Sequence, residues 1–442
     1  MINSKKNQLK KKLGLSFGIA ILIGGTIGVG ILRTPGAIAG MLANYWAIIF
    51  CWVLGGVYIL IGINTYAELA TMLPKAGGSY NYIKRAFGNY AGFLSGWFDY
   101  ILNAIPPAFY CIVIGEYIIR LFPNLEGNTT LIAIAFLIFF SALQSSGVKN
   151  ASIIQQITSV IKVAFFTALI LACFMYSGIK FHPIKKESPL FEVGFIISFF
   201  KSLQLIIGTY DGWTAVCFFS EEDENPSKNI PKSLYMGAII VMILYVLINI
   251  AFFHVLPVSA LANSPLAAAD VAQVVFGEKG AIIVTIIAIF SLISILNAYL
   301  MIPARILFGI SRDGYFIEKG TKINKGGTPI IALYISTLFA LGLIAIGSFE
   351  VLFSFATIMS VIIWGLAYCS LIRLRIKEPN LQRPYRSFFY PWSTLFMILS
   401  TIALLAGFAY SDSLNFLIIV LIICISYPIY LVVNHRNKKP FF

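Results

Sequence analysis

The chain has 442 residues, 59% of them hydrophobic and 11% charged, with a mean hydropathy of +0.87. Soluble domains carry roughly 25% charged residues, so this composition excludes a globule surrounded by water and makes lipid the solvent. The formal net charge is +14, from 32 basic and 18 acidic residues. The basic residues cluster in alternate loops, which argues against a nucleic-acid partner and for orientation in a membrane.

In chain order, apolar runs punctuated by Gly, Pro and charge predict about twelve helices. They cover 14–36, 45–72, 91–121, 130–148, 151–178, 192–221, 233–257, 277–307, 328–347, 350–375, 389–410 and 413–434. Most reach about 20 residues, enough to cross a hydrocarbon core about 30 Å thick. They are too long and too uniformly apolar for the alternating strands of a β-barrel. The expected class is an all-α membrane protein. The basic opening KKNQLKKKLG precedes no small-residue cleavage site, so the first span is expected to stay.

Loop charge sets the expected orientation. With the N-terminus inside, the inner side holds Lys5, Lys6, Lys10, Lys11, Lys12, Lys75, Lys84, Arg85, Lys149, Lys228 and Lys232. It also holds Arg305, Arg312, Lys319, Lys322, Lys325, Arg373, Arg375, Lys377, Arg383, Arg386, Arg436, Lys438 and Lys439. The outer side receives Arg120 and, in the loop KFHPIKKE, Lys180, Lys185 and Lys186. An even number of spans with both termini cytoplasmic fits this bias.

The first span, GIAILIGGTIGVGILRTPG, carries Gly24, Gly25, Gly28 and Gly30 near mid-depth. Glycine weakens a helix by roughly 0.5–1 kcal/mol. The sixth run, LIIGTYDGWTAVCFF, holds Gly208 and Gly212 with Asp211 between them. Paired interrupted helices in corresponding halves point to a transporter's binding site. Five spans separate the two, so the second unit enters the membrane from the opposite side. The expected organisation is a tail over 1–13, a first five-helix repeat over 14–178, an inverted repeat over 192–375, two appended helices over 389–434 and a tail over 435–442.

Broken helices bare backbone groups, tolerated only inside the protein or along a watery cavity. The amides opening one half carry partial positive charge, and the carbonyls closing the other partial negative charge. A zwitterionic amino acid matches both. Substrate contacts are therefore expected from Gly25, Thr26, Ile27, Gly28, Val29, Gly30, Gly208, Tyr210, Asp211 and Gly212. The amides of Val29 and Gly30 would hold the carboxylate; carbonyls near Gly25, Thr26, Gly208 and Asp211 would hold the ammonium. The competing reading is that the glycines only let helices pack closely. A dinucleotide loop is excluded, because the order is GxxGxG and no strand precedes it.

Cys51, Cys111, Cys173, Cys217, Cys369 and Cys424 lie in apolar runs without a CxxC pair and read as buried apolar residues. His182, His254 and His435 are far apart, so neither a metal site nor a cofactor is expected.

The chain resembles the amino acid–polyamine–organocation superfamily, closest to its L-type and bacterial amino acid exchanger branches. The resemblance rests on GGTIGVGIL with TPG, YAELATMLPKAGGSYNYIKRAFG with GFLSGW, and GVKNASIIQQITSVIKV. It rests equally on YDGWTAVCFFSEEDENPSKNIPKS, NAYLMIPARILFGISRDGYF and TPIIAL, all in the family's order. It implies a LeuT-like five-plus-five inverted repeat that moves amino acids by alternating access. It also implies that Lys162 of helix 5 takes the place of a sodium ion and ties the broken helix 1 to helix 8. A lysine at that depth is costly and should face the bundle interior, although a snorkelling side chain is the alternative. Many relatives carry a bulky aromatic where this chain has Gly208, so Tyr210 or Trp213 is expected to gate instead, or the pocket is larger.

Asp211 could pair with a cationic substrate, carry a proton or cap the half-helix starting at Gly212. Asp99 and Glu116 are further intramembrane carboxylates that could carry protons, Glu116 reading better as a wet surface group. Arg33 could attract anionic head groups to the outer mouth or hold a lipid phosphate. Glu68 and the SEEDEN run are expected to form a network with inner-loop Arg and Lys, or a solvated face.

The expected function is sodium-independent amino acid transport, by exchange or proton symport, with a neutral substrate favoured because only Asp211 places a carboxylate near the site. A polyamine or cationic amino acid carrier is the alternative. A membrane enzyme lacks a nucleophile–base pair, and a non-transporting sensor would be expected to carry longer soluble extensions. The expected partners are an amino acid, protons and membrane lipid, and the expected location is a bacterial inner membrane.

Overall fold

The computed structural model describes residues 9, 11–177, 193–264, 266–345 and 349–438. The KFHPIKKE loop, with Lys180, Lys185, Lys186 and His182, lies outside the described residues.

The first apolar run forms α1 (Leu15–Thr26) and α2 (Val29–Leu42), bent by 41° across Ile27 and Gly28. Ile27 leaves the helical region (φ −77°, ψ 103°) and Gly28 is extended (φ −150°, ψ −142°). The half-helix after the break runs six residues beyond the expected end at 36, through Pro35, to a left-handed Ala43. Asn44 then caps α3 (Tyr45–Met72), its Oδ1 accepting from the Ala47 amide at 3.0 Å.

The chain continues with the amphipathic α4 (Ser79–Phe87), then α5 (Asn89–Ala104) and α6 (Pro106–Leu121). Pro106 and Pro107 sit at the start of α6, where missing N–H groups cost nothing. Next come α7 (Thr129–Ser145), α8 (Val148–Met175) and α9 (Val193–Tyr210). Then follow α10 (Pro226–Val255), the short α11 (Val258–Ala262) and α12 (Ala267–Arg312). The last four are α13 (Ile330–Ile344), α14 (Phe349–Lys377), α15 (Trp392–Ser411) and α16 (Ser413–Lys438).

Two expectations change. The run expected as one helix over 192–221 stops at Tyr210; Asp211 to Thr214 form a turn with Gly212 at φ +100°, and Ala215–Phe219 is a 3-10 segment. The span expected to start at 277 meets a break at that residue, Gly277 at φ +72°, and an additional helical stretch from Ala267 precedes it within α12.

Among the described residues, eight helices are long and apolar enough to cross a membrane, or nine when α1 and α2 count as one broken span. Helices α7 and α13 are apolar but shorter. There is no strand among the described residues; the isolated bridges Leu13–Asp223 and Ile323–Pro329 pair loops. Helix α1 sits innermost, packed on α8, α10 and α12, while α2 packs on α9 and α11. Helix α16 is peripheral and turns Leu414, Leu417, Leu421 and Ile425 outward, as a lipid-facing helix must. The same face exposes Cys424, and Cys369 is half-buried, which corrects the expectation that all six cysteines are buried.

Candidate functional site

The broken helices meet back to back. A Cβ on Gly212 would lie 2.4 Å from the Gly25 carbonyl oxygen and 3.0 Å from the Thr26 amide nitrogen, so only glycine allows this approach. Gly30 presses on Thr209 in the same way, its Cβ position 2.6 Å from Oγ1. The Thr34 and Thr209 hydroxyls are 3.3 Å apart. Gly24 and Gly28 let α1 and α2 close on Gln155 and Ile295. The glycines thus serve both readings: two accompany a break and the same set packs helices.

Several of the bared carbonyls have partners. Lys162, 1% exposed on α8, donates to the carbonyls of Gly24 at 3.1 Å and of Ile27. These carbonyls close α1, where the partial negative charge of a helix end favours a cation. The snorkelling alternative is excluded by that burial. Among the described residues the lysine bonds to the end of α1, and the link from α8 to α12 is made one turn away, by Thr158 to Ser294 at 3.0 Å. Ser159 and Gln155 donate to the Ala20 carbonyl at 2.8 and 3.3 Å, and Asn297 of α12 donates to Gln155 Oε1 at 2.8 Å.

Tyr245 of α10 stands between the two breaks. Its hydroxyl lies 2.9 Å from the Thr26 carbonyl and 3.1 Å from the Thr209 carbonyl, and its one proton serves one of them at a time. Of the carbonyls expected to meet an ammonium, Thr26 therefore takes Tyr245, and Gly208 takes the Asp211 amide at 3.3 Å.

Asp211 does not cap an α-helix. Its Oδ1 accepts from the adjacent Gly212 amide at 2.6 Å and its Oδ2 from Ser360 of α14, while the 3-10 segment beyond has no side-chain cap. Asp211 and Gly208 keep some exposure, unlike the buried Thr209 and Tyr210 between them.

Tyr210 and Trp213 do not sit at an open mouth. Tyr210 is 2% exposed and donates to the Trp52 carbonyl at 3.2 Å. Trp213 is held between Tyr66 and Trp364, with ring centroids 4.8 and 5.3 Å away. The aromatic beside Gly208 comes from α14: a Cβ there would lie 2.8 Å from Phe353 Cε1 and 2.3 Å from Thr357 Oγ1.

The end of the bundle that carries Leu13 is closed by ion pairs. Glu222 and Arg305, side chains 1% and 2% exposed, form a two-pronged pair at 2.5 and 3.1 Å. Glu68 binds Arg375 and Arg383 and accepts from the Ser387 amide at 2.7 Å. Glu221 pairs with Arg312 at 3.0 Å and accepts from the Ala76 amide at 2.9 Å. The Leu13 carbonyl accepts from Glu224, and the Lys12 and Leu13 amides donate to Glu222. The Glu68 and SEEDEN residues are thus a network rather than a solvated face. At the other end Arg33 lies 3.6 Å from Glu116, which is half exposed.

Sequence reading missed Tyr245, Phe353, Ser360 and Thr209. A tyrosine, a phenylalanine and two hydroxyls in apolar runs carry no signal until α10 and α14 are laid against the breaks.

Comparison with known proteins matches residues 13–427 to the amino acid permease family. The serine/threonine exchanger SteT of Bacillus subtilis (strain 168) is 26% identical over 450 residues, covering 99% of this chain and all of that protein. The b(0,+)-type amino acid transporter 1 of Homo sapiens is 27% identical over 400 residues, 86% of this chain and 80% of its own. The large neutral amino acids transporter small subunit 2 of Rattus norvegicus is 27% identical over 396 residues, 86% and 72% respectively.

Proposed function

The chain belongs to the amino acid permease family and is an integral membrane transporter of amino acids rather than an enzyme; from that premise we propose that it carries neutral amino acids without sodium, by alternating access between two five-helix repeats over 14–178 and 192–375. The observation that carries this reading is the meeting of the α1–α2 and α9 breaks, with a buried ammonium on the α1 end. A fixed Lys162 charge answers the carbonyls a sodium ion would otherwise attract. The amides of Val29 and Gly30 remain the proposed seat of the substrate carboxylate, and the Gly25 carbonyl that of its ammonium. Gly28, Ile27 and Gly212 shape the site, and Tyr245 bridges it. The relatives' names point the same way, toward serine, threonine and large neutral amino acids.

One observation favours a cationic substrate or polyamine instead: the Asp211 carboxylate is the acidic group that keeps exposure at the break. The proposed setting is a bacterial inner membrane with both termini cytoplasmic. Uptake of labelled L-leucine, L-serine, L-arginine and putrescine into proteoliposomes, in sodium and in choline buffer, tests the reading. Neutral uptake equal in both buffers is expected. Preferred uptake of arginine or putrescine would establish the alternative, and sodium dependence would overturn the role of Lys162.

A further inference from the structure

Asp99 of α5 is a carboxylate enclosed without a cation. It is 2% exposed, its Oδ1 accepts from Asn103 at 3.2 Å, and its Oδ2 has no hydrogen-bond partner among the described residues. Cations on the helices packed against α5 are engaged elsewhere: Lys84 of α4 by Asp313 at 2.6 Å and Arg85 by Glu378, Arg305 of α12 by Glu222 and Arg312 by Glu221. The ionisable groups close enough to Asp99 for their charges to interact are Tyr66 of α3, Tyr82 of α4, Cys217 of the 3-10 segment and Asp211 at the break. Of the other elements packed against α5, α14 carries Tyr368 with Arg375 paired to Glu68, Arg373 over the Phe87 ring and Lys377 on the Arg85 carbonyl; α6 carries Tyr110 and Arg120, which pairs with Asp270; α13 carries Tyr334 and α16 Tyr430.

An isolated carboxylate taken out of water costs several kcal/mol unless it is paired. Asp99 has no pair and faces a second carboxylate. A bound proton removes the charge and turns the unpartnered oxygen into an O–H. Trp213 Nε1 is also buried without a partner among the described residues, and the Trp213 and Tyr82 rings both pack on Tyr66, at 4.8 and 6.2 Å, Tyr82 also hydrogen-bonding Cys217. Asp99 therefore lies near the segment that follows the α9 break. Asp211, by contrast, accepts from Gly212 and Ser360, so both of its oxygens are partnered. Two carboxylates in contrasting surroundings divide the roles of acid and fixed anion.

We propose that Asp99 is the proton-binding site that couples amino acid movement to a proton gradient. The inference rests on the transport reading above and names its coupling ion. The step balances simply: an O–H bond forms when the carboxylate is wetted from one side and breaks when it is wetted from the other, with no electron transfer and no co-reactant.

The test uses the full chain in proteoliposomes. Counterflow of labelled L-serine and L-leucine at equal pH comes first; its absence for both, extended to the other amino acids, sinks the transport reading rather than the proton site. With the outside one pH unit more acidic, wild type is expected to accumulate substrate up to about tenfold, the equivalent of one proton per substrate. D99N is expected to exchange without accumulating, and D99E to accumulate again. A wild type that ignores the pH gradient, or a D99N variant that still accumulates, overturns the proposal. Infrared spectra of the purified proteins give a readout free of transport. A protonated-carboxyl stretch present at neutral pH in wild type and missing in D99N supports the assignment. Identical carboxyl bands in the two proteins overturn it.

Discussion

The Lys162 ammonium lies 3.1 Å from the Gly24 carbonyl oxygen, joining the middle of α8 to the end of a helix that stops inside the membrane. That one contact settles two problems. A buried cation finds partially negative carbonyl partners, and carbonyls that no helix turn can satisfy find donors.

Replacing Lys162 by Met keeps the length and removes the charge. The carbonyls of Gly24 and Ile27 are then left without this donor, at about 1–3 kcal/mol for each buried group unsatisfied. K162M is expected to melt several degrees lower in detergent and to exchange amino acids at least tenfold more slowly. Unchanged melting and unchanged exchange would show that the contact carries neither stability nor function.

Gly208→Ala places a methyl group against Thr357 Oγ1 and Phe353. Overpacking of this kind typically costs 1–3 kcal/mol. Gly208→Ala is expected to lower uptake severalfold, and Phe353→Leu in the same chain to restore part of it while shifting preference toward larger side chains. A double-mutant cycle on the melting temperature should show coupling between the two positions. Additive effects would separate Phe353 from the site.

The Glu222–Arg305 pair makes a sharper prediction because it is buried. Removing one partner of a buried pair costs about 3–5 kcal/mol, whereas an apolar replacement of both is often neutral. E222Q is expected to be less stable than a chain carrying both E222M and R305M. Cys217, 1% exposed on the neighbouring 3-10 segment, should become reactive to maleimide in E222Q, measured with the other five cysteines changed to Ala. Equal, slow labelling of wild type and E222Q would remove this pair from the closure of that face.

Glu378, just beyond α14, offers a pH test. Arg85 hydrogen-bonds its carboxylate at 2.8 and 3.0 Å and holds the carboxyl below its ordinary range. A depressed carboxyl adds stability above its unfolded value and loses it as pH falls through the folded one. Arg85 is about half exposed, so the contribution is at most about 1 kcal/mol. Arg85→Ala should lower the melting temperature slightly at pH 7 and not at pH 3. A larger loss at the acid end would contradict the sign.

Much of the architecture was legible in advance, for a specific physical reason. Lipid offers no partner to a bare peptide group, so runs such as Tyr45–Met72 and Trp392–Ser411 had to be helices, and glycines at mid-depth had to mean close packing or a break. Gly28 shows both. The charge of Lys162 demanded an interior partner on the same ground, and that partner is the end of α1.

Other features were decided only by the tertiary structure. The sequence is apolar on either side of Asp211, and nothing in it says that a 3-10 segment rather than an α-helix follows; the contact of Gly212 with Gly25 imposes that turn. Tyr245, Ser360 and Phe353 lie 36 to 219 positions from the groups they touch. Their roles depend on which helix faces are brought together, and an apolar run reads the same on every face. Sequence determined that two helices are interrupted and that charge must be answered inside. Packing alone determined which side chains answer it, because a hydroxyl or a ring acquires its partner from the helix beside it, not from its own.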